Sequence, residues 1–214
     1  MTTNVAHVQF HFDPLCPFAW RTALWIRNAR KVRPIEVTWR FFSLEVVNRA
    51  PDTEPDYVNG AGWTALRTLA MVRRLHGNEG VEKLYIALGN AAHGRGKQLD
   101  RGTVEEAVEE AGLAERTGGS YFVTSALASE ETILDVLKDH EEAAQRYHAF
   151  GVPTIALDGS DVGFYGPVIQ NVPKGDEAGE LWDFTAWALK YPNLFELKRD
   201  RSFVPSWDRI SAED

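Results

Sequence analysis

Within its first 42 residues the chain lays down a strand, a helix and a second strand, and that order restricts what can follow. From Val5 to Phe12, Val8, Phe10 and Phe12 fall on one side and His7, Gln9 and His11 on the other, the two-residue period of a strand. Pro14 ends it. From Pro17 to Lys31, Trp20, Leu24 and Trp25 are spaced to share a buried helical stripe. Pro34 marks the entry to Ile35–Phe42, whose β-branched and aromatic residues read as a second strand. Strand, helix and strand in so short a stretch form a βαβ unit, which makes the two strands parallel through a right-handed crossover.

Residues 44–60 carry Pro51, Asp52, Pro55 and Gly60, the signature of a loop. Helical periodicity then runs over Ala61–Leu75, Val81–Ala92, Thr103–Ala111 and Ser129–Tyr147, with Thr103 and Ser129 as expected caps and Gly112 as a stop. Thr154–Leu157 and Val162–Tyr165 read as short strands joined by the turn Asp158-Gly159-Ser160-Asp161. Asp176–Lys190 is a closing helix with Leu181, Trp182 and Ala186 or Leu189 inward, and a tail covers Tyr191–Asp214. With the helical block lifted out, βαβ followed by ββα remains, which predicts an α/β architecture: a four-stranded mixed sheet with helices on its faces.

Cys16 is the one cysteine in the sequence, and it stands between the first strand and the first helix in Asp13-Pro14-Leu15-Cys16-Pro17-Phe18-Ala19-Trp20. A thiol at a helix start faces unpaired N–H groups and the positive end of the backbone dipole, which favour the nucleophilic thiolate. Pro17 suits the first helical turn, where a missing N–H costs nothing. The competing reading is a buried, inert cysteine acting as a small hydrophobe. A single cysteine also excludes an internal disulfide and any dithiol cycle within one chain.

A net charge of −8 argues against a nucleic-acid partner. Lys198, Arg199 and Arg201 form the densest basic cluster, but Glu196 and Asp200 lie among them, as on a solvated face. The N-terminal residues lack the pattern of a secretory signal, and no run reaches the ~20 apolar residues that would span a bilayer. A cytoplasmic location with no membrane association is expected. No metal site is expected either: His7 and His11 are about 13 Å apart along one strand, and His93, before Gly94 and Gly96, reads as a capping or surface residue.

Cys16 after the first strand, a helical insertion, and Gly151-Val152-Pro153-Thr154 opening a late hairpin together resemble the thioredoxin fold in its DsbA-like form. The resemblance implies one unit over 1–214, with a thioredoxin-like part over 1–60 and 148–214 and a helical insertion over 61–147. It also implies a cis bond before Pro153, set against the cysteine, with the backbone of Val152 pairing with substrate. A wider set is similar to the mycothiol-dependent nitroreductase family: Asp13 to Pro17, Ser43-Leu44 with Asn48, Gly89-Asn90, Phe164 to Val168, Glu177-Ala178-Gly179 with Leu181-Trp182-Asp183, and Phe195 to Arg199.

That family implies a DsbA-like oxidoreductase using the small thiol mycothiol and a Cys-Pro-Trp-Cys motif. By this resemblance Cys16 attacks, and Asn48 and Tyr57 occupy active-site positions. Pro17, Phe18, Val152, Pro153 and Thr154 complete the substrate-binding set. Where the family has its Trp and second Cys, this chain has Phe18 and Ala19. A mixed disulfide at Cys16 must then be opened by an external thiol. The partners implied are a small thiol and a disulfide or electrophilic substrate, nitroaromatics included, with a homodimer left open.

Two alternatives share the fold: a thiol-dependent isomerase of the 2-hydroxychromene-2-carboxylate type, and an inactive thiol-binding homologue. A papain-like cysteine hydrolase also places its nucleophile at a helix start, but the six histidines lie in no hydrolase motif and Val152-Pro153-Thr154 has no role there.

Overall fold

A computed structural model describes residues 5–50, 52–114, 118–199 and 209–213. Met1 to Asn4, Pro51, Asp200, Arg201 and part of the tail lie outside the described residues. β1 (Ala6–Phe12) pairs in parallel with β2 (Ile35–Phe41), from Ala6 opposite Ile35 to Phe12 opposite Phe41. The crossover is α1 (Pro17–Ala29). β3 (Thr154–Leu157) runs antiparallel to β1 and β4 (Gly163–Tyr165) antiparallel to β3, giving the order β2-β1-β3-β4. The mixed sheet expected from βαβ plus ββα is the sheet observed.

The alternation along β1 sorts two buried faces. Val8, Phe10 and Phe12 are fully buried; Phe10 and Phe12 meet Trp39 edge-on at 5.0 and 5.9 Å, and Phe12 stacks on Tyr85 at 4.0 Å. The polar side is covered too, by α6 (Glu131–Arg146) and its C-terminal Tyr147, whose ring lies 5.7 Å from that of His11. Arg40 donates to Gln9 at 2.6 Å and to Asp139 of α6 at 3.2 Å, and Asp139 also takes the Phe41 N–H at 3.0 Å. Gln9, Arg40 and Asp139 satisfy one another on this covered face, whereas neither ring nitrogen of His11 has a hydrogen-bond partner among the described residues.

That face sets an acid limit on stability. Burial, then Arg40 and His140, lowers the His11 pKa to about 3, and burial, then Arg49, lowers that of His140 to about 4. Both rings protonate near 6.5 once unfolded, so their contribution is whole above that pH and is lost as pH falls toward 3. Asp13 acts oppositely: burial raises its pKa to about 6, so it favours the folded state below its unfolded value and that gain disappears as pH rises through 6. The two histidines outweigh it. Urea midpoints should fall between pH 6.5 and 4, and His11→Phe should flatten that limb by on the order of 3 kcal/mol; an unchanged limb would refute the assignment.

The block between β2 and β3 is helical as expected, with differences that have local causes. Residues 44–48 form a short helix, α2 (Leu44–Asn48), because the Ser43 side chain accepts the Val46 N–H at 3.2 Å and caps it. The two helices read before residue 92 follow one another within α3 (Trp63–Gly89), separated as expected by a kink at Gly77, whose φ of 66° and ψ of −163° are non-helical and suit glycine. Asp100, in place of Thr103, caps α4 (Arg101–Glu110) by accepting the Thr103 N–H at 2.9 Å. A further helix, α5 (Gly119–Ala128), was not legible in its β-branched and aromatic residues; α4 holds its start, with Glu109 accepting the Gly119 N–H at 3.0 Å. Ser129 follows α5 and caps no helix with its side chain; α6 begins after Glu130. α7 (Gly175–Lys190) packs on α1 through Trp182 and Trp25, 6.5 Å between ring centroids.

Trp20, Trp25, Trp39 and Trp63 are essentially fully buried, and each indole N–H has an acceptor: Ile210 O, Ala178 O, Glu82 and Glu45. Large rings thus enter the core without stranding a donor.

Candidate active site

β1 delivers the chain into a tight turn at Asp13. Its backbone carbonyl accepts the Cys16 N–H at 2.9 Å, one carboxylate oxygen accepts the Leu15 N–H at 2.9 Å, and the other accepts the Leu44 N–H at 2.8 Å. This buried side chain fixes the cysteine loop and ties it to the start of α2. Cys16 is then the N-cap of α1, with Pro17 in the first turn as expected. Its Sγ accepts the Ala19 N–H at 3.4 Å and donates to the Val152 carbonyl at 3.3 Å.

Val152 belongs to the segment leading into β3. The Val152–Pro153 peptide bond is cis, and Thr154 Oγ1 closes the turn by donating to Gly151 O at 2.8 Å. Thr154 sits opposite His11 in the β1–β3 register, so the sheet itself brings residues 152–154 beside Cys16. A second cis bond, Gly166–Pro167, lies in the following loop, and Thr22 of α1 donates to Pro167 O at 2.7 Å.

The electrostatics correct one expectation. Cys16 is 6% exposed, and burial raises its pKa above the ordinary thiol value; the N–H groups of Ala19 and Phe18 pull it down, while the Asp13 carboxyl pushes it up. The helix N-terminus is in place, but desolvation outweighs it. The contact with Val152 O uses the thiol proton, so burial and this bond both oppose the thiolate that a helix start alone suggests.

The other expected site residues divide. Cys16, Pro17, Phe18, Val152, Pro153 and Thr154 are gathered around one point; Phe18 and Pro17 are half-buried, and Ala19 is fully buried. Asn48 is exposed at the end of α2 with its side-chain amide donating to Leu44 O at 2.9 Å. Tyr57 packs edge-on against Trp63 at 4.8 Å, and its carbonyl accepts from Arg67 at 3.1 Å. Neither side chain hydrogen-bonds Cys16 among the described residues.

Three further groups, none of them expected in the site, stand at the cysteine loop. Asp13 is one; an acid three residues before the cysteine, at a strand end, is the kind of residue that makes such a turn. Tyr85 is another: its hydroxyl is buried without a hydrogen-bond partner among the described residues, and burial, then Cys16 and Asp13, raises its pKa well above the usual value. His93 is the third, and the expectation of a capping or surface residue is overturned: it is half-buried, with Nε2 2.9 Å from Pro14 O.

Comparison with known proteins places this geometry. The model of the Rv2466c-like family, described as mycothiol-dependent nitroreductase Rv2466c, matches residues 15–199. The chain is 33% identical over 198 residues to Uncharacterized protein Rv2286c of Mycobacterium tuberculosis, covering 91% of this chain and 82% of that protein. Among solved structures, the cytosolic disulfide reductase DsbM from Pseudomonas aeruginosa with GSH superposes with a TM-score of 0.59 at 14% identity, over 85% of this chain and 99% of that one. A 2-hydroxychromene-2-carboxylate isomerase gives 0.57 at 18% identity, over 85% and 93%. At such identities the structures establish the fold alone, a DsbA-like thioredoxin fold.

Proposed function

The chain belongs to the Rv2466c-like family of mycothiol-dependent nitroreductases, and from that premise we propose that Cys16 runs a one-thiol redox cycle completed by a low-molecular-weight thiol, mycothiol by the family's description. The family is one of thiol-dependent oxidoreductases. The observation that carries the finer reading is the Cys16 Sγ at a helix N-terminus, 3.3 Å from the carbonyl that precedes cis-Pro153, with alanine at position 19.

In the first step Sγ attacks a substrate disulfide of protein and mycothiol at the mycothiol sulfur. An S–S bond forms to Cys16, the substrate S–S bond breaks, and the departing sulfur takes the thiol proton. A second mycothiol then attacks the Cys16 mixed disulfide, regenerating the thiol and leaving oxidised mycothiol. Net, one free mycothiol is consumed and the protein thiol and oxidised mycothiol are formed. A nitro group reduced to nitroso would instead consume two free thiols and release water.

Val152, Pro153 and Thr154 would present the backbone edge to the incoming sulfur, Pro17 and Phe18 the helix-start wall, and Asn48 and Tyr57 the outer rim. In this reading residues 1–60 and 148–214 form the catalytic part and 61–147 the insertion that walls it. No described helix is long and apolar enough to cross a membrane, and a cytoplasmic site of action fits mycothiol use. The isomerase reading is separated by stoichiometry, since isomerisation consumes no thiol.

Intact mass spectrometry after incubation with oxidised mycothiol, and separately with oxidised glutathione, tests the assignment. A Cys16 adduct with mycothiol is expected. Because only thiolate attacks, its rate should rise about tenfold per pH unit below the raised thiol pKa. No adduct with either disulfide would sink the proposal.

A further inference from the structure

The segment Arg209–Glu213 lies along a π-helical turn, Asn90–Gly94, at the end of α3. Ile210 N donates to His93 O at 3.0 Å, and Ile210 O accepts the Trp20 indole N–H at 2.9 Å. Asn90 is 3% exposed and uses both ends of its amide on this segment: Oδ1 accepts Ala212 N at 2.7 Å and Nδ2 donates to Glu213 at 3.1 Å. A Cβ on Gly94 would come within 3.2 Å of Ser211, and one on Gly96 within 2.5 Å of Arg209. The turn is shaped to receive the tail.

The other side of the same turn faces the nucleophile. A carbonyl can only accept, so His93 Nε2 carries its proton and donates it to Pro14 O, two residues before Cys16. The imidazole also lies nearly parallel to the Trp20 ring, 29° and 6.1 Å between centroids, and Trp20 N closes the first turn of α1 on Cys16 O at 3.0 Å. Tail, π-helical turn, His93 and cysteine loop are therefore one continuous set of contacts. The loop is pinned from two directions, at Pro14 O by His93 and at Sγ by Val152 O.

We propose that His93 is a positioning residue for Cys16 and that the segment Arg209–Glu213, gripped by Asn90, holds His93 in place. The inference rests on the reading of Cys16 as the reactive thiol. Without the His93 bond the loop opens more often, so a small reagent reaches the sulfur more easily while a docked substrate meets it in the wrong place. The two rates move in opposite directions. Global destabilisation does not produce that pairing in a folded population below the unfolding temperature.

The test uses the full chain. In His93→Ala, alkylation of Cys16 by iodoacetamide at fixed neutral pH, followed by intact mass, should quicken by about fivefold, the size of one lost neutral hydrogen bond. Thiol-dependent turnover should fall by a similar factor. His93→Gln, which keeps a side-chain donor, should return both toward wild type. Asn90→Asp, which turns a donor into a carboxylate facing Glu213, should reproduce the alkylation effect, and adding Glu213→Gln should reverse it. An alkylation rate unchanged or slowed in His93→Ala, a His93→Gln variant indistinguishable from it, or an Asn90→Asp variant without effect would each overturn the proposal. If the chain turned over no thiol substrate, the alkylation measurements would still decide the role of His93 by themselves.

Discussion

Cys16→Ser should reduce thiol-dependent turnover to the uncatalysed background, a loss of more than about a thousandfold. Serine replaces one atom, and its hydroxyl can still donate to Val152 O from the N-cap, so stability should move by less than about 1 kcal/mol. That separation is what makes the variant informative. Steady-state rates and a urea melt on the same preparation measure both. Substantial residual turnover would show that chemistry proceeds elsewhere, because the sequence contains no second thiol to substitute.

Ala19→Cys should change the kind of cycle. The Ala19 N–H already points at Cys16 Sγ from 3.4 Å, so a thiol at this position stands one helical turn from the nucleophile. Its effective concentration is at least ~1 mM, about a thousandfold above a micromolar external reductant. After treatment with oxidised mycothiol the wild-type chain should retain a stable adduct, whereas the variant should expel it and lose two hydrogens as an internal disulfide forms. Ala19 is fully buried, so the added sulfur should cost about 1–3 kcal/mol of stability in the reduced state. A persistent adduct on Ala19→Cys would show that the helix start cannot bring two sulfurs together.

The sheet was legible because its signals are local and redundant. Alternation in Val5–Phe12, Pro14 and Pro34 as boundaries, and the Asp158–Asp161 turn each fix an element without reference to the rest. The place of Cys16 at the start of the first helix was legible for the same reason. Its burial was not, since the pull of the helix start is a local property, whereas Tyr85 and the Val152 segment reach the thiol from distant parts of the chain. α5 escaped because packing on α4 sets its conformation against weak propensity. His93 escaped because its meaning lies in a π-helical turn and a tail more than a hundred residues away.

The solitary, recessed sulfur makes thiol labelling on this chain a single-address experiment. Any reporter group coupled through a thiol reads one place, without first removing competing sites by mutagenesis. Graded reagents, from small to bulky, would act as a ruler for the mouth above it, and the steepness of the fall in coupling rate with reagent size would measure how narrow the approach is in solution.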